Sequence, residues 1–593
     1  GRHALLLPRI DTLGDLDEEL PDTLTAAMPE DDLPPAIDKM ARHFHLLPLV
    51  EAWAREGGLG RLDDDGAAPL NAVKLSALVH DLERFLDETQ NEQARLDRLD
   101  DLAPESLAEN WQHIVSLLNI VLRFWPAQLD ELGKMDPTAR RNALLERRRK
   151  KWQDRSVERP IIAAGSTGSI RATADLLAVI AHMPRGAVVL PGLDEAANDD
   201  LWRAIAKDEV HPQYALAQLL DHMGVTPQSV RRFPGTGQTS ARAELINQAL
   251  VPAQETVRWI DQKRTETAPH ETTAFDGLTL IEAPDMRAEA GAIALAMRQV
   301  LEEPNKTAAL VTRDRNLARR VAAELKRWDI NIDDSAGQPL ANLPRARLLR
   351  LILQTHLSQF APIDMLAVLK HPLVCLQQKH LAHVRLLENA VLRGPRPFGG
   401  VSGLRALLAR KEKMAVDDKQ AMRDLLNRLE QAFLPFNALP NEARMSDYLT
   451  ALVHCSTALL AAPEAETAAD ILFKNDEEGR ALAALLETLH SHSALAPPMT
   501  QADFPALFDM WLMRQNIRRQ APGQPRLSIL GPLEARLIQA DVMILGALNE
   551  TIWPPMPETG PWLSRPMRAR LGMSQPERQI GQAAHDFVQA AGA

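Results

Sequence analysis

Gly165-Ser166-Thr167-Gly168-Ser169 is the stretch of this chain whose residue types best suit holding a phosphate. It follows the apolar run Ile161-Ile162-Ala163-Ala164 and precedes a helical pattern with Leu176, Ile180 and Met183 on one side. Small residues between a strand and a helix leave backbone N–H groups able to cradle an anion. A working phosphate loop also needs a Lys for the β/γ-phosphates and a Ser/Thr for Mg²⁺. The Gly-x-x-x-x-Gly-Lys-Ser/Thr pattern does not occur, so two readings stand: a phosphate cradle or a tight strand-to-helix connection.

Other candidates are equally double-edged. Ala187-Val188-Val189-Leu190 ends near Asp194 and Glu195, as in a strand that presents a carboxylate to Mg²⁺. However, three residues intervene, and Pro191-Gly192 turns the chain first. Arg313 directly follows the apolar run Ala308–Thr312, where a guanidinium can reach a γ-phosphate or a nucleic-acid backbone, or simply start a solvated helix. Arg140, Arg141, Arg147, Arg148, Arg149, Lys150, Lys151 and Arg155 form a basic run that could track phosphates or face solvent, and Trp152 within it could stack a base or be buried. His43/His45 and His490/His492 are two apart, whereas helical metal sites favour four. No nucleophile elbow, His-Glu-x-x-His motif or persuasive carboxylate pair is present.

The elements that must position these groups alternate in type. The first 13 residues read as a strand end and exit loop, and residues from about 36 to 155 as helices, with Leu117, Ile120, Val121 and Phe124 on one face. Strand–loop–helix–strand follows over Ile161–Leu190. A β-α-β-α-β order then runs through Leu278–Ile281, a helix capped by Asp285 (Ile293, Met297, Val300 and Leu301 inward), and Ala308–Thr312. It continues through a helix capped by Asp314 (Leu317, Val321, Leu325 and Trp328 inward) to Ile330–Ile332. Residues from about 345 to 520 are again helical, and strands return at Leu527–Leu530 and Asp541–Gly546. The fold class is therefore α/β with large, mostly helical insertions.

With 593 residues the chain holds about four domains. It is 45% hydrophobic and 25% charged, which excludes disordered and collagenous classes, and no run reaches the ~18 apolar residues of a membrane span. Cys375 and Cys455 are too few for a Cys-ligated zinc or iron–sulfur site and suggest a reducing, cytoplasmic setting. A net charge of -12 means that any nucleic-acid path is local and enclosed. The opening Gly1-Arg2-His3-Ala4-Leu5-Leu6-Leu7, without an initiator Met, reads as an internal piece of a longer protein.

Several motifs in order resemble one family. They are Leu5–Ile10 with Leu13-Gly14-Asp15, Ala164–Ser169, Val189–Asp194, His211-Pro212-Gln213-Tyr214, and Asp334-Ser335-Ala336-Gly337. Further on come Leu548-Asn549-Glu550 with Trp553-Pro554, Trp562–Arg568, and Glu577-Arg578-Gln579-Ile580-Gly581. Spanning nearly the whole chain, they resemble the AddB subunits of bacterial AddAB helicase–nucleases in their alphaproteobacterial form. That family is similar to superfamily 1 helicases of the UvrD/RecB type.

The resemblance implies two RecA-like domains. The first, 1A, would occupy 1–35 and 159–265, split by helical insertion 1B at 36–158. The second, 2A, would occupy 266–345 and 523–593, split by insertion 2B at 346–522. It implies a degenerate nucleotide site of Gly165, Ser166, Thr167, Gly168, Ser169, Arg313 and Arg578, with Gly165-Ser166 where an active helicase has Asp-Glu, and no catalytic or metal residue in this chain. DNA contacts implied by the resemblance are Arg9, Thr12, Glu534, Arg536, Asn549 and Trp553, and the basic run adds Arg147, Arg148, Arg149, Lys150 and Lys151 as candidates. ATP and Mg²⁺ would serve the whole complex, and an iron–sulfur cluster would sit in a following nuclease domain that the two cysteines do not match. The partners implied are an AddA helicase–nuclease subunit and single- and double-stranded DNA ends, with no membrane. The work implied is break processing for homologous recombination, with single-stranded DNA channelled and the Chi signal scanned. An active motor, with Asp194 or Glu195 on Mg²⁺, and an α/β scaffold without nucleic acid are the alternatives.

Overall fold

The computed structural model describes residues 33–55, 71–94, 108–154, 160–232, 241–260, 274–395, 398–460, 467–518 and 523–592, together with Ile10, Leu13, Leu96 and Leu99. Arg9, Thr12, Arg155 and the opening strand lie outside the described residues.

Among the described residues four helices come first: α1 (Lys39–Trp53), α2 (Ala72–Glu92), α3 (Ala108–Glu131) and α4 (Pro137–Asp154). Asp38 caps α1 by accepting the Met40 amide at 2.8 Å, and Asn71 caps α2 through the Lys74 amide at 2.9 Å. The inner face of α3 is Leu117, Leu118, Val121 and Trp125. Phe124, expected among them, points outward and is 51% exposed, because residues 117, 121 and 125 share a face at 3.6 per turn and 124 falls off its edge.

The first α/β block has β1 (Ile161–Ala164) parallel to β2 (Gly186–Val189), joined by α5 (Arg171–His182). It continues with α6 (Asp199–Ile205), α7 (Tyr214–Met223) and α8 (Ala241–Ala249). Leu145 of α4 packs into its core beside Leu176, Leu177 and Ile180, so the basic helix is anchored on this block by its apolar side.

The second block comprises α9 (Met286–Val300), β3 (Ala308–Thr312), α10 (Arg315–Lys326) and β4 (Asp333–Asp334), completed after a long helical excursion. The Asp285 and Asp314 caps form as expected, Asp285 accepting from Ala288 N at 2.8 Å and Asp314 from Asn316 N at 2.7 Å. Two expected strands differ. Leu278–Ile281 pairs with no strand among the described residues and is exposed, and the third strand lies three residues later than Ile330–Ile332, where Asp333 and Asp334 pair with β9.

Among the described residues the excursion runs through nine α-helices. They are α11 (Pro344–Leu357), α12 (Pro362–Leu369), α13 (His380–Leu387), α14 (Val401–Ala409), α15 (Val416–Asn437), α16 (Met445–Leu459), α17 (Ala468–Leu472), α18 (Glu477–Ser491) and α19 (Asp503–Arg514). Two short antiparallel pairs, β5 (Gln338–Pro339) with β8 (Asn516–Ile517) and β6 (Glu442–Ala443) with β7 (Met499–Thr500), tie them together. The chain returns to the second block as β9 (Leu527–Leu530) and β10 (Val542–Gly546), then α20 (Arg565–Arg570) and α21 (Arg578–Gly592). The four-stranded sheet is parallel throughout, in the order β10-β3-β9-β4, with Ala308–Thr312 of β3 buried at every position. Such burial on both faces is why β3 reads as an unbroken apolar run.

The two helical regions share one hydrophobic core instead of forming two. His43 and Phe44 of α1 pack on Trp511 of α19 with ring centroids 4.6 and 5.6 Å apart. Asn71 donates to Asp503 at 2.8 Å across the same joint. Trp511 is 5% exposed. Replacing it by Ala is expected to cost about 3–5 kcal/mol and to lower the unfolding of both helical regions together. Thermal unfolding with reporters in α2 and α16 tests this, and separate transitions for the two would contradict a shared core.

Candidate functional site

Four of the motif segments converge at one cleft between the two α/β blocks. A small pocket there is lined by Thr167 of the Gly165–Ser169 loop, Glu209, His211 and Tyr214 before and at the start of α7, and Arg578 and His585 of α21. It leaves room for about one water molecule.

The loop turns tightly: Gly165 and Gly168 have φ of +80° and +64°. The Gly165 amide donates to the Val189 carbonyl at 3.2 Å, and the Gly168 amide to Ser166 Oγ at 3.2 Å. Two of the amides a phosphate cradle would use are thus engaged, one by β2 and one inside the loop. Thr167 is buried, and Leu537 of the second block closes over Gly165, where an added Cβ would lie 3.1 Å from its Cδ1.

His211–Tyr214 forms a turn held by Gln213, which is fully buried. Gln213 Nε2 donates to the Gly192 carbonyl at 2.8 Å, its Oε1 accepts the Asp194 amide at 3.3 Å, and its own amide donates to His211 Nδ1 at 3.1 Å. Accepting at Nδ1 puts the neutral His211 proton on Nε2. Asp194 therefore sits in a buried turn, accepting the Ala196 amide at 3.0 Å, its acidity weakened by burial. Glu195 pairs with Arg232. Neither carboxylate reaches the end of β2, which leaves the strand end without the acidic pair that Mg²⁺ would need. Among the described residues no group of three His, Cys, Asp or Glu side chains is placed to hold a metal ion. Cys375 is exposed and Cys455 is buried, its thiol pushed up by burial.

α21 supplies the other wall. At Gly581 a Cβ would lie 2.4 Å from the Glu209 carbonyl oxygen, so only glycine lets this helix approach so closely. Arg578 donates to Ser574 Oγ at 2.6 Å. One turn beyond the pocket, Asp586 pairs with Arg536 at 2.8 Å, both side chains 7% exposed, and burial raises the Asp586 carboxyl. Arg313, at the end of β3 and exposed, lies close enough to Asp586 to stabilise its charge.

The remaining expected contacts are dispersed. Trp553 is buried with its indole N–H donating to the Ala583 carbonyl at 2.9 Å, and Arg536 is committed to Asp586, so neither is open to DNA in this arrangement. Glu534 accepts from the Gly531 amide at 2.8 Å and from Ser335, while Asn549 is exposed beyond β10. On α4, Arg147 and Lys150 are exposed, Arg149 chelates Glu146 with two bonds of 2.6 Å, Arg148 stacks on Trp152, and Lys151 is half-buried. The pocket's His211, Glu209, Tyr214 and His585 were not expected as a set. The sequence marks His211–Tyr214 as a motif, and Glu209 and His585 join it only through the docking of α21.

No protein-family model matches the chain, and no curated protein matches it. No helix among the described residues is long and apolar enough to cross a membrane.

His211 and His585 are both buried, which lowers each imidazole from 6.5 to about 4. For His585 the nearby Arg536 guanidinium adds to the lowering, against a raising contribution from the Pro212 carbonyl. Folded values below the unfolded one mean that stability is complete above about 6.5 and is lost as pH falls toward 4. Each group is expected to remove roughly 2 kcal/mol by pH 5. Urea unfolding at pH 7.5 and pH 5 reads this, and His585→Leu should shrink the difference. An equal difference in the variant would show that His585 does not carry it.

Proposed function

We propose that this chain is the helicase-like, motor-dead region of an AddB-type subunit. It would pair with an AddA-type motor in the cytoplasm and channel single-stranded DNA from double-strand ends during recombinational repair, scanning it for Chi. The two parallel α/β blocks are taken as RecA-like units and the helical regions as their insertions.

The observation that carries the motor-dead part is the make-up of the cleft. A hydrolytic cleft between two such blocks needs a Lys, a hydroxyl and an acidic strand end around a nucleotide-sized space. Here Thr167, Arg578 and two neutral imidazoles enclose room for about one water, and Asp194 and Glu195 are engaged elsewhere. Support for the DNA part comes from α4, whose apolar side is anchored on the first block while Arg147 and Lys150 stay exposed.

Two measurements on the purified chain test the reading. Single-stranded DNA binding is expected to weaken with salt, log K falling by about 0.7 per neutralised phosphate for each unit of log salt. The double substitution Arg147→Glu/Lys150→Glu is expected to flatten that slope by about 1.4. DNA-stimulated ATP hydrolysis by the chain would overturn the motor-dead reading. An unchanged slope would take α4 out of the DNA path, and no binding at low salt would favour a scaffold without nucleic acid.

A further inference from the structure

α10 (Arg315–Lys326) has two faces of opposite character. Leu317, Ala318, Val321 and Leu325 are buried and share a cluster with Ile293 and Met297 of α9. The opposite stripe, at the helical spacing of three and four, is Asn316, Arg319, Arg320, Ala323 and Lys326, continued by Arg327, and all of these are exposed. Glu324 is the one carboxylate of the helix. It lies four residues after Arg320, the spacing of a stabilising pair, yet it accepts from Arg327 at 2.6 Å instead. Arg315 is taken by Asp334. Among the described residues Arg319, Arg320 and Lys326 have no hydrogen-bond or ion-pair partner.

Local helix physics does not account for this stripe. Cations at the carboxyl end of a helix offset its dipole, which covers Lys326 and Arg327. Arg319 and Arg320 lie in the middle turns, where the dipole gives nothing. Arg315 and Arg319 are also four apart, a spacing at which like charges weaken a helix. In a chain whose 79 acidic residues outnumber its 67 basic ones, a stripe of unpaired cations runs against the overall charge. Arg298 of α9 enlarges it: its guanidinium stands 5.2 Å from the centre of the Trp328 ring, just past the end of α10, and it too is exposed.

The chemistry of the stripe selects its occupant. Unpaired cations call for a polyanion. A protein interface centres on aromatic and apolar anchors and is depleted in lysine, whereas the uncharged members here are only Asn316 and Ala323. A single-stranded nucleic acid adds base stacking on aromatic rings. The stripe carries no ring, and the neighbouring Trp328 is taken by Arg298. A duplex, with its bases turned inward, presents phosphates and asks for cations alone. We propose that the outer face of α10 is a contact surface for the phosphate backbone of double-stranded DNA, with Arg319, Arg320 and Lys326 each meeting one phosphate. This rests on the reading of the chain as a DNA-channelling subunit, and gives the duplex a surface on the second block, separate from α4.

The test is the salt dependence of binding by the whole chain, measured on a blunt duplex and on single-stranded DNA of the same length. Log K for the duplex is expected to fall by about 0.9 per phosphate contact for each unit of log salt. Arg319→Gln/Arg320→Gln/Lys326→Gln is therefore expected to flatten the duplex slope by about 2.7 and to leave the single-strand slope unchanged. Arg319→Lys/Arg320→Lys keeps the charges and is expected to retain the wild-type slope. The surface is refuted if the triple variant keeps the wild-type duplex slope while the chain still binds DNA, a result that leaves the DNA reading standing. It is refuted equally if the lysine variant loses the slope, since the arginines would then serve the fold, or if both slopes flatten together, since the stripe would not select duplex. Polyglutamate binding that needs the same three residues, with the duplex slope unchanged, would assign the stripe to an acidic protein. No binding of either DNA at low salt overturns the DNA reading itself and this surface with it.

Discussion

The close approach of α21 to the turn before α7 is the constraint on which the cleft depends. A glycine at 581 lets the helix backbone lie against the Glu209 and His211 carbonyls. From there the same helix reaches both blocks. Ala583 and Ala590 pack on Ala309 and Val311 of β3, Asp586 takes Arg536, and Gln589 covers Gly192 in the turn after β2. The Trp553 indole fixes the rotation of α21 by bonding the Ala583 carbonyl. Small residues along one face of α21 are what allow a single helix to serve as wall for two sheets. The buried Arg536–Asp586 pair adds specificity of position more than net stability, since desolvating both charges cancels much of their attraction.

The parts of the fold governed by local rules were legible in the sequence. Asp285 and Asp314 cap their helices because a carboxylate before an apolar period of 3.6 satisfies otherwise unpaired amides, and β3 stands out because a strand buried on both faces has no polar alternation. What failed was long-range. Leu278–Ile281 has strand composition, but a strand is defined by its partner, and none of the described residues supplies one. Ile330–Ile332 gave way to Asp333–Asp334 because pairing with Ser528 and Ile529 of β9 sets the register, not hydrophobicity. The shared core of the helical regions was missed for the same reason, as it does not follow from periodicity within one helix.

The candidate site was legible by residue and not by role. The Gly165–Ser169 loop and Arg578 do meet, yet two loop amides are already bound, to Val189 and Ser166, and the pocket also holds His211 and His585, whose neutrality depends on burial that no local pattern encodes. Trp553 shows the opposite error. A Trp beside a strand end suggests base stacking, but Trp buries more apolar area than most side chains and its N–H finds a carbonyl inside, so the core takes it.

The cleft and the helical core are also mechanically joined. Trp562, Leu563, Met567 and Leu571 are buried in the helical core, and the chain then runs directly into α21. Along that stretch Arg568 pairs with Glu88 at 2.9 Å, and the Ser574 and Gln575 amides donate to Glu92 and Glu209 at 2.6 and 3.0 Å. Glu88 and Glu92 are on α2, one turn apart, and Glu209 belongs to the cleft. A shift of α2 therefore moves the residues that lead into α21, and a shift of α21 changes the approach at Gly581. With a packed core at one end and a glycine contact at the other, the segment 562–578 acts as a short rigid link between helices and cleft. Its far end is closed by Glu209 and Arg578 together with His211 and His585, both held neutral by burial.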